Sequence, residues 1–193
     1  MIIHSNLTKE QAVQSKPKSG CSRNILSSQR LVEVYYFDFE GEECRGQIVV
    51  HKDIEEDIKK VFSFIYESKF LVSKVIPISD ARYSWDDNLS CADNNTSGFN
   101  YRQMVSKFGL SNHSHGTAID INPIQNPYIK YNDQEVETFR IPITGDYNDK
   151  LPGTLHADTG VVKLFKELGW EWGGDWDVSS GRIDYQHFEK ITF

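Results

Sequence analysis

The 193-residue sequence predicts an α+β domain with a small, mainly antiparallel sheet. Three observations carry this. A β-branched and aromatic hairpin pattern occupies residues 31–50, two amphipathic helix patterns follow far apart, and short apolar runs between them end in turn residues. The order reads hairpin, helix, strand, long loop, strand, helix, strand, without internal repeats.

Residues 1–29 are polar and rich in Ser, Lys and Gln, with K-P-K-S-G at 16–20, and read as a flexible leader before a domain spanning 30–193. L-V-E-V-Y-Y-F-D-F from Leu31 has strand composition, Glu40-Gly41-Glu42 marks a turn, and Arg45 to Val50 is the returning strand. Asp53 is the expected N-cap of the first helix, with Glu56 completing a capping-box-like pair. Ile54, Ile58, Val61, Phe62 and Ile65 then form one apolar face, opposite Glu55, Glu56, Lys59 and Lys60.

Lys74 to Ile78 reads as a short strand, and Asp80 to Tyr101 as a long connection of the kind often tied to function. A buried strand end is expected at Ile119 to Ile121, followed by an Asn-Pro turn and a polar surface excursion over 129–157. Asp158 or Thr159 caps the second helix, whose apolar positions are Val161, Leu164, Phe165 and Leu168, with Gly169 at C′. W-E-W-G-G-D-W and a final strand over Ile183 to Phe188 complete the chain.

Hydrophobic residues make up 38% and charged residues 25%, an ordinary globular balance. The net charge of −7 and the absence of a basic block argue against a phosphate-neutralising nucleic-acid surface. No apolar run reaches the roughly 20 residues of a membrane span, and the N-terminus lacks the apolar segment of a secretory signal. Localisation therefore stays open between the cytoplasm and export by another route. Three widely spaced cysteines, Cys21, Cys44 and Cys91, fit free thiols in a reducing compartment or a Cys44–Cys91 bridge in an exported protein.

The chemistry concentrates in S-N-H-S-H-G-T-A-I-D (111–120) and D-Y-Q-H (184–187). His113, Asp120 and His187 supply the three ligands of a catalytic zinc site that keeps a position open for water, and Asp184 supplies a carboxylate base. His₂Asp suits zinc best among common metals. Two features complicate this assignment. His115 shares a face with His113 on an extended chain, and Asp184 and His187 point to opposite faces unless the strand bends between them.

The pattern S-x-H-x-x-G-x-A-x-D, here Ser111, His113, Gly116, Ala118 and Asp120, resembles the signature of the zinc D-alanyl-D-alanine carboxypeptidases, which include vancomycin-resistance dipeptidases and carboxypeptidases and bacteriophage endolysins. N-N-T-S-G-F-N-Y-R (94–102), A-I-D-I-N-P-I-Q-N-P-Y (118–128), W-G-G-D-W (172–176) and D-Y-Q-H-F-E (184–189) extend the resemblance across 31–193. It implies a fold shared with the hedgehog signalling domain, an antiparallel sheet flanked by helices with one Zn²⁺. It also implies His113, Asp120 and His187 as metal ligands and Asp184 as the catalytic acid/base, where some relatives carry Glu. Arg102 is the implied substrate-binding arginine, with Arg82 as the alternative, and His115 falls at a variable position. Ser111 is expected to orient its loop, the W-G-G-D-W segment to wall the site, and Glu189 to support His187. The implied activity is hydrolysis of peptidoglycan stem peptides by a monomeric D-alanyl-D-alanine carboxypeptidase. An L-Ala–D-Glu endopeptidase and a non-catalytic, metal-stabilised binding module are the alternatives.

Overall fold

The computed structural model describes residues 1–14, 20–104 and 109–191. The chain opens with β1 (Ile2–Ile3), α1 (Lys9–Gln14) and α2 (Arg23–Ser28). It continues into the expected hairpin, β2 (Gln29–Phe37) and β3 (Glu43–His51), paired antiparallel from Gln29↔His51 to Phe37↔Glu43. β1 adds to the free edge of β3 as a parallel strand. Strand alternation gives the sheet two apolar faces. Val32, Val34, Tyr36, Cys44, Ile48 and Val50 belong to the main core, whereas Val49 belongs to a second cluster with Ala12, Val13, Ile76, Ile78, Tyr83, Trp85 and Phe99.

That second cluster corrects the expectation of a flexible polar leader. Ala12 and Val13 of α1 are buried, and both Ser5 Oγ and the Leu7 amide donate to Gln47 Oε1 at 2.7 Å. The segment's apolar residues and amides meet partners far along the chain, such as Gln47, Val49 and Trp85, a signal that local composition does not carry. The domain's packing thus begins ahead of residue 30, while K-P-K-S at 16–19 lies outside the described residues.

α3 (Glu55–Ser68) buries Ile58, Val61, Phe62 and Ile65 against the hairpin, as its periodicity requires. Asp53 is not its cap. A 3-10 turn over Lys52–Ile54 leads in, with His51 Nδ1 accepting from the Asp53 amide at 3.3 Å and the Asp53 carboxylate 3.5 Å from the same nitrogen. Lys69, at φ 53°, ends the helix in the left-handed region.

β4 (Lys74–Val75) is shorter than expected, and the long connection after it is ordered rather than irregular. It contains α4 (Asp87–Ala92), capped by Asp86, and β5 (Asn95–Thr96), which pairs parallel with β4. β6 (Ala118–Asp120) follows as a fully buried strand. The region expected as a surface excursion begins with a hairpin of β7 (Tyr128–Tyr131) and β8 (Glu137–Ile141).

α5 (Gly160–Glu167) starts after Thr159 and is followed by Gly169 at φ 82°, matching its expected signals. β9 (Glu171–Trp172) leads into the last correction. The single final strand is two, β10 (Arg182–Asp184) and β11 (His187–Glu189), joined by Tyr185-Gln186 and belonging to different sheets. β10 pairs with β7, whereas β11 lies between β6 and β9. The described residues form an α+β arrangement with three small three-stranded sheets and one β4–β5 pair, mainly antiparallel as expected.

Replacing Ala12 by Asp places a charge in the second apolar cluster and should cost about 2 kcal/mol or more, lowering the melting temperature by about 4–8 °C. An unchanged melting curve would restore the reading of residues 1–14 as a solvated leader.

Candidate metal centre

The Ser111 hydroxyl caps a 3-10 turn over Asn112–His115, accepting from the His113 amide at 3.3 Å. Gly116 closes the turn at φ 72°, where a Cβ would lie 2.1 Å from Gln29 Oε1 and 2.8 Å from the His51 amide nitrogen. Only glycine fits both constraints. The chain then enters β6, which ends on Asp120. β11 runs antiparallel to β6 with His187 directly opposite Asp120, and directly opposed side chains share a face of the pair. The two-residue break at Tyr185-Gln186 supplies the bend that Asp184 and His187 need to serve one site.

Three side chains meet at the centre. His113 Nε2 lies 3.1 Å from Asp120 Oδ2, His187 Nδ1 lies 3.0 Å from Asp120 Oδ1, and the two imidazole nitrogens are 3.2 Å apart. Ligand atoms held at zinc bond lengths in a tetrahedron stand about 3.3 Å apart, so the spacing already suits such an ion. The far ring nitrogens are also engaged: His113 Nδ1 reaches the Gly98 carbonyl at 2.7 Å, and His187 Nε2 reaches Glu189 Oε2 at 2.8 Å. Outer acceptors of this kind direct each imidazole's lone pair inward. Glu189 reaches His187 because i and i+2 share a strand face, and Asn112 Nδ2 donates to the same oxygen at 2.7 Å.

Asp184, Arg102 and the three central residues border one cleft of about 270 Å³, with Asp87, Cys91, Trp176 and Arg182 in its walls. Asp184 is half-buried, and its shielded Oδ1 has no hydrogen-bond partner among the described residues. Burial pushes its carboxyl up to about 6, with the Asp120 charge adding to the rise and the two histidines opposing it. Arg102 Nε sits 3.1 Å from Asp87 Oδ2. Arg82 lies outside the cleft, paired with Asp80 at 2.9 Å and donating to the His4 carbonyl. His115 is exposed and lines a separate surface depression, away from the centre.

The glycines of W-G-G-D-W act through close packing. A Cβ on Gly173 would lie 2.5 Å from the Asp184 carbonyl oxygen, and one on Gly174 would overlap the Trp172 ring. Trp172 Nε1 donates to the Tyr185 carbonyl at 2.8 Å, fixing the break between the last two strands. Four contributors escape sequence reasoning: the Gly98 carbonyl, Asp87, Cys91 and Arg182. The first is backbone, and the others come from segments whose approach to the cleft is set by tertiary packing. Arg182 had one available signal, its position two residues before Asp184 on the same strand. Its guanidinium lies 4.6 Å from the Trp176 ring centroid, and among the described residues no carboxylate pairs with it.

The protein's own groups at the centre form a charged, hydrogen-bonded network. Burial opposes charge on His187, but hydrogen bonds to Asp120 and Glu189 override it and raise the imidazole to about 10. The bond to His187 lowers Glu189 to about 2. Burial would raise Asp120, yet His113 and His187 together hold it well below the usual carboxylate range.

Residues 105–190, short of half of the chain, match a family model described as D-alanyl-D-alanine carboxypeptidase. The match supports the family whose motifs the sequence resembles, and it spans His113, Asp120, Asp184 and His187 but not Arg102. The family is one of hydrolytic metallopeptidases. No curated protein and no solved structure matches the chain.

The pKa shifts fix a sign. A raised His187 pKa stabilises the metal-free fold fully below the ordinary 6.5 and loses that contribution as pH climbs through about 10. The same contact, seen from Glu189, weakens only as pH falls from 4.5 toward about 2. The chelated protein should therefore melt progressively lower between pH 6.5 and 10, with the His187 ring resonances titrating near 10 by NMR. Titration near 6.5 would remove the ion-paired network.

Proposed function

We propose that this chain is a zinc-dependent peptidase of peptidoglycan stem peptides, acting as a D-alanyl-D-alanine carboxypeptidase. The carrying observation is the arrangement around one cleft: two imidazoles and a carboxylate with converging inner atoms, and a separate half-buried carboxyl, Asp184, left without a partner on one oxygen among the described residues. The donor set fits zinc, because both histidines have their outer nitrogens tied and the ligand spacing is near tetrahedral.

Zinc held by His113, Asp120 and His187 would polarise the scissile carbonyl and make water more acidic. Asp184 takes a proton from the attacking water and returns it to the leaving amine, a role that its elevated pKa suits. Arg102, positioned by Asp87, presents its guanidinium to the substrate oxygen on which negative charge develops. Trp176 flanks His187, with ring centroids 5.8 Å apart, and offers an apolar wall to the substrate backbone.

One observation favours a second reading, cleavage of the L-Ala–D-Glu bond. Arg182 brings a further cation to the cleft without a carboxylate of its own, and a glutamyl residue would supply one. Incubation of the zinc-loaded protein with defined muropeptides, with products identified by mass, separates the two. Loss of a terminal D-alanine supports the carboxypeptidase, and separation of a muramyl-L-alanine fragment from a peptide that begins with D-Glu supports the endopeptidase. Metal-dependent stabilisation without turnover leaves a binding module.

Two further outcomes are expected. Asp184→Asn should lower kcat by about 10²–10⁴-fold while metal content stays at the wild-type level, and full activity in that variant would sink the proposed role. Because the base must be ionised, kcat/KM should rise through an acid limb at or below about pH 6, the lower side reflecting the nearby cation. Glu189→Ala should weaken metal affinity by about 10–100-fold, read by competition with a chelator, and unchanged affinity would remove Glu189 from the site's support.

A further inference from the structure

A second group of metal-binding side chains converges at the turn end of the β2–β3 hairpin. His4, Asp38 and Cys44 each bring one ligating atom, all within 4.8 Å of one another. Strand register brings them together. Ile2 pairs with Cys44 in the parallel β1–β3 ladder, and the His4 amide extends that ladder by donating to the Arg45 carbonyl at 2.9 Å. Tyr36 lies opposite Cys44, and the Asp38 amide carries the antiparallel ladder one step further by donating to the Glu42 carbonyl at 3.0 Å. Residues two apart on a strand share a face, so His4, Tyr36, Asp38 and Cys44 line the same side of the sheet.

Their hydrogen bonding leaves the inner donor atoms lightly used. Asp38 Oδ1 accepts the amides of Glu40 and Glu42, whereas Oδ2 faces the Cys44 sulfur at 3.5 Å. Asp38 and Cys44 are buried, and half-buried His4 forms the solvent side. The Tyr36 hydroxyl lies 2.6 Å from His4 Nδ1 and fixes the ring. The neighbouring cations are neutralised: Lys74 pairs with Asp93 at 2.7 Å and Arg82 with Asp80 at 2.9 Å. An imidazole, a thiolate and a carboxylate form a donor set for zinc and similar borderline ions rather than for magnesium or calcium, which take oxygen ligands.

We propose that His4, Asp38 and Cys44 form a second, structural cation site, suited to Zn²⁺, that ties β1 to the hairpin. The Cys44 thiol releases its proton to solvent as the metal–sulfur bond forms, and water completes the coordination. The site shares no residue with the cleft and does not depend on the peptidase reading.

Cobalt(II) titrated into the full-length, metal-free protein tests this, because a thiolate–cobalt bond gives a near-ultraviolet charge-transfer band that a His/Asp/His site cannot produce. The expected result is two bound equivalents, one of them with the band. His113→Ala should keep the band and bind one equivalent. Cys44→Ser and His4→Ala should each lose the band and bind one equivalent, and zinc should bleach it where magnesium does not. His4→Ala leaves the thiol and the buried packing intact, so it decides the matter if Cys44→Ser fails to fold. A wild-type protein that binds a single equivalent without the band overturns the proposal. A band that survives both variants but disappears in Cys91→Ser does the same, since it would place the thiolate in the cleft.

Discussion

Everything at the centre depends on Asp120 standing directly opposite His187 in the β6–β11 pair. A slip of one residue in that register would turn one side chain to the other face of the sheet and dissolve the site. The register is held from both sides. Ile119 and Phe188, the neighbouring pair, point into the main core with Phe165 and Trp172, and β9 pairs along the far edge of β11. Core burial thus does the aligning, and the polar groups on the opposite face inherit the alignment.

Burying a carboxylate and two imidazoles together is costly unless charge is balanced and every outer atom has a partner. The protein meets that requirement with neighbours rather than with solvent: the Gly98 carbonyl behind His113, and Glu189 with Asn112 behind His187. Asp184 is the exception. One of its oxygens has no partner among the described residues, and desolvation, with the Asp120 charge, keeps its carboxyl high in pKa.

The parts legible in sequence were those set by short-range pattern. The hairpin, α3 and α5 follow from alternation and helical periodicity, and His113, Asp120, Asp184 and His187 follow from spaced motifs that resemble a family. What was not legible depends on distant contacts. The amides and apolar residues of the first fourteen positions look solvated until Gln47, Val49 and Trp85 arrive to cover them. The final strand reads as continuous because nothing local shows that β7 will claim Asp184 while β6 claims His187. Asp53 looks like a helix cap, yet it lies inside a 3-10 turn that His51 caps, and the helix itself starts without a side-chain cap. Apart from its spacing to Asp184, nothing local marks Arg182 for the cleft, where its guanidinium lies against Trp176.

Gly98 joins the two halves of the molecule at one atom's breadth. Its carbonyl steadies His113, and its missing side chain lets the Val49 carbonyl approach to where a Cβ would stand 2.4 Å away. The hairpin and the His113 imidazole therefore meet at one residue with no room for a side chain. A strain introduced in the sheet has a direct mechanical route to the centre, so architecture and chemistry in this chain cannot drift independently.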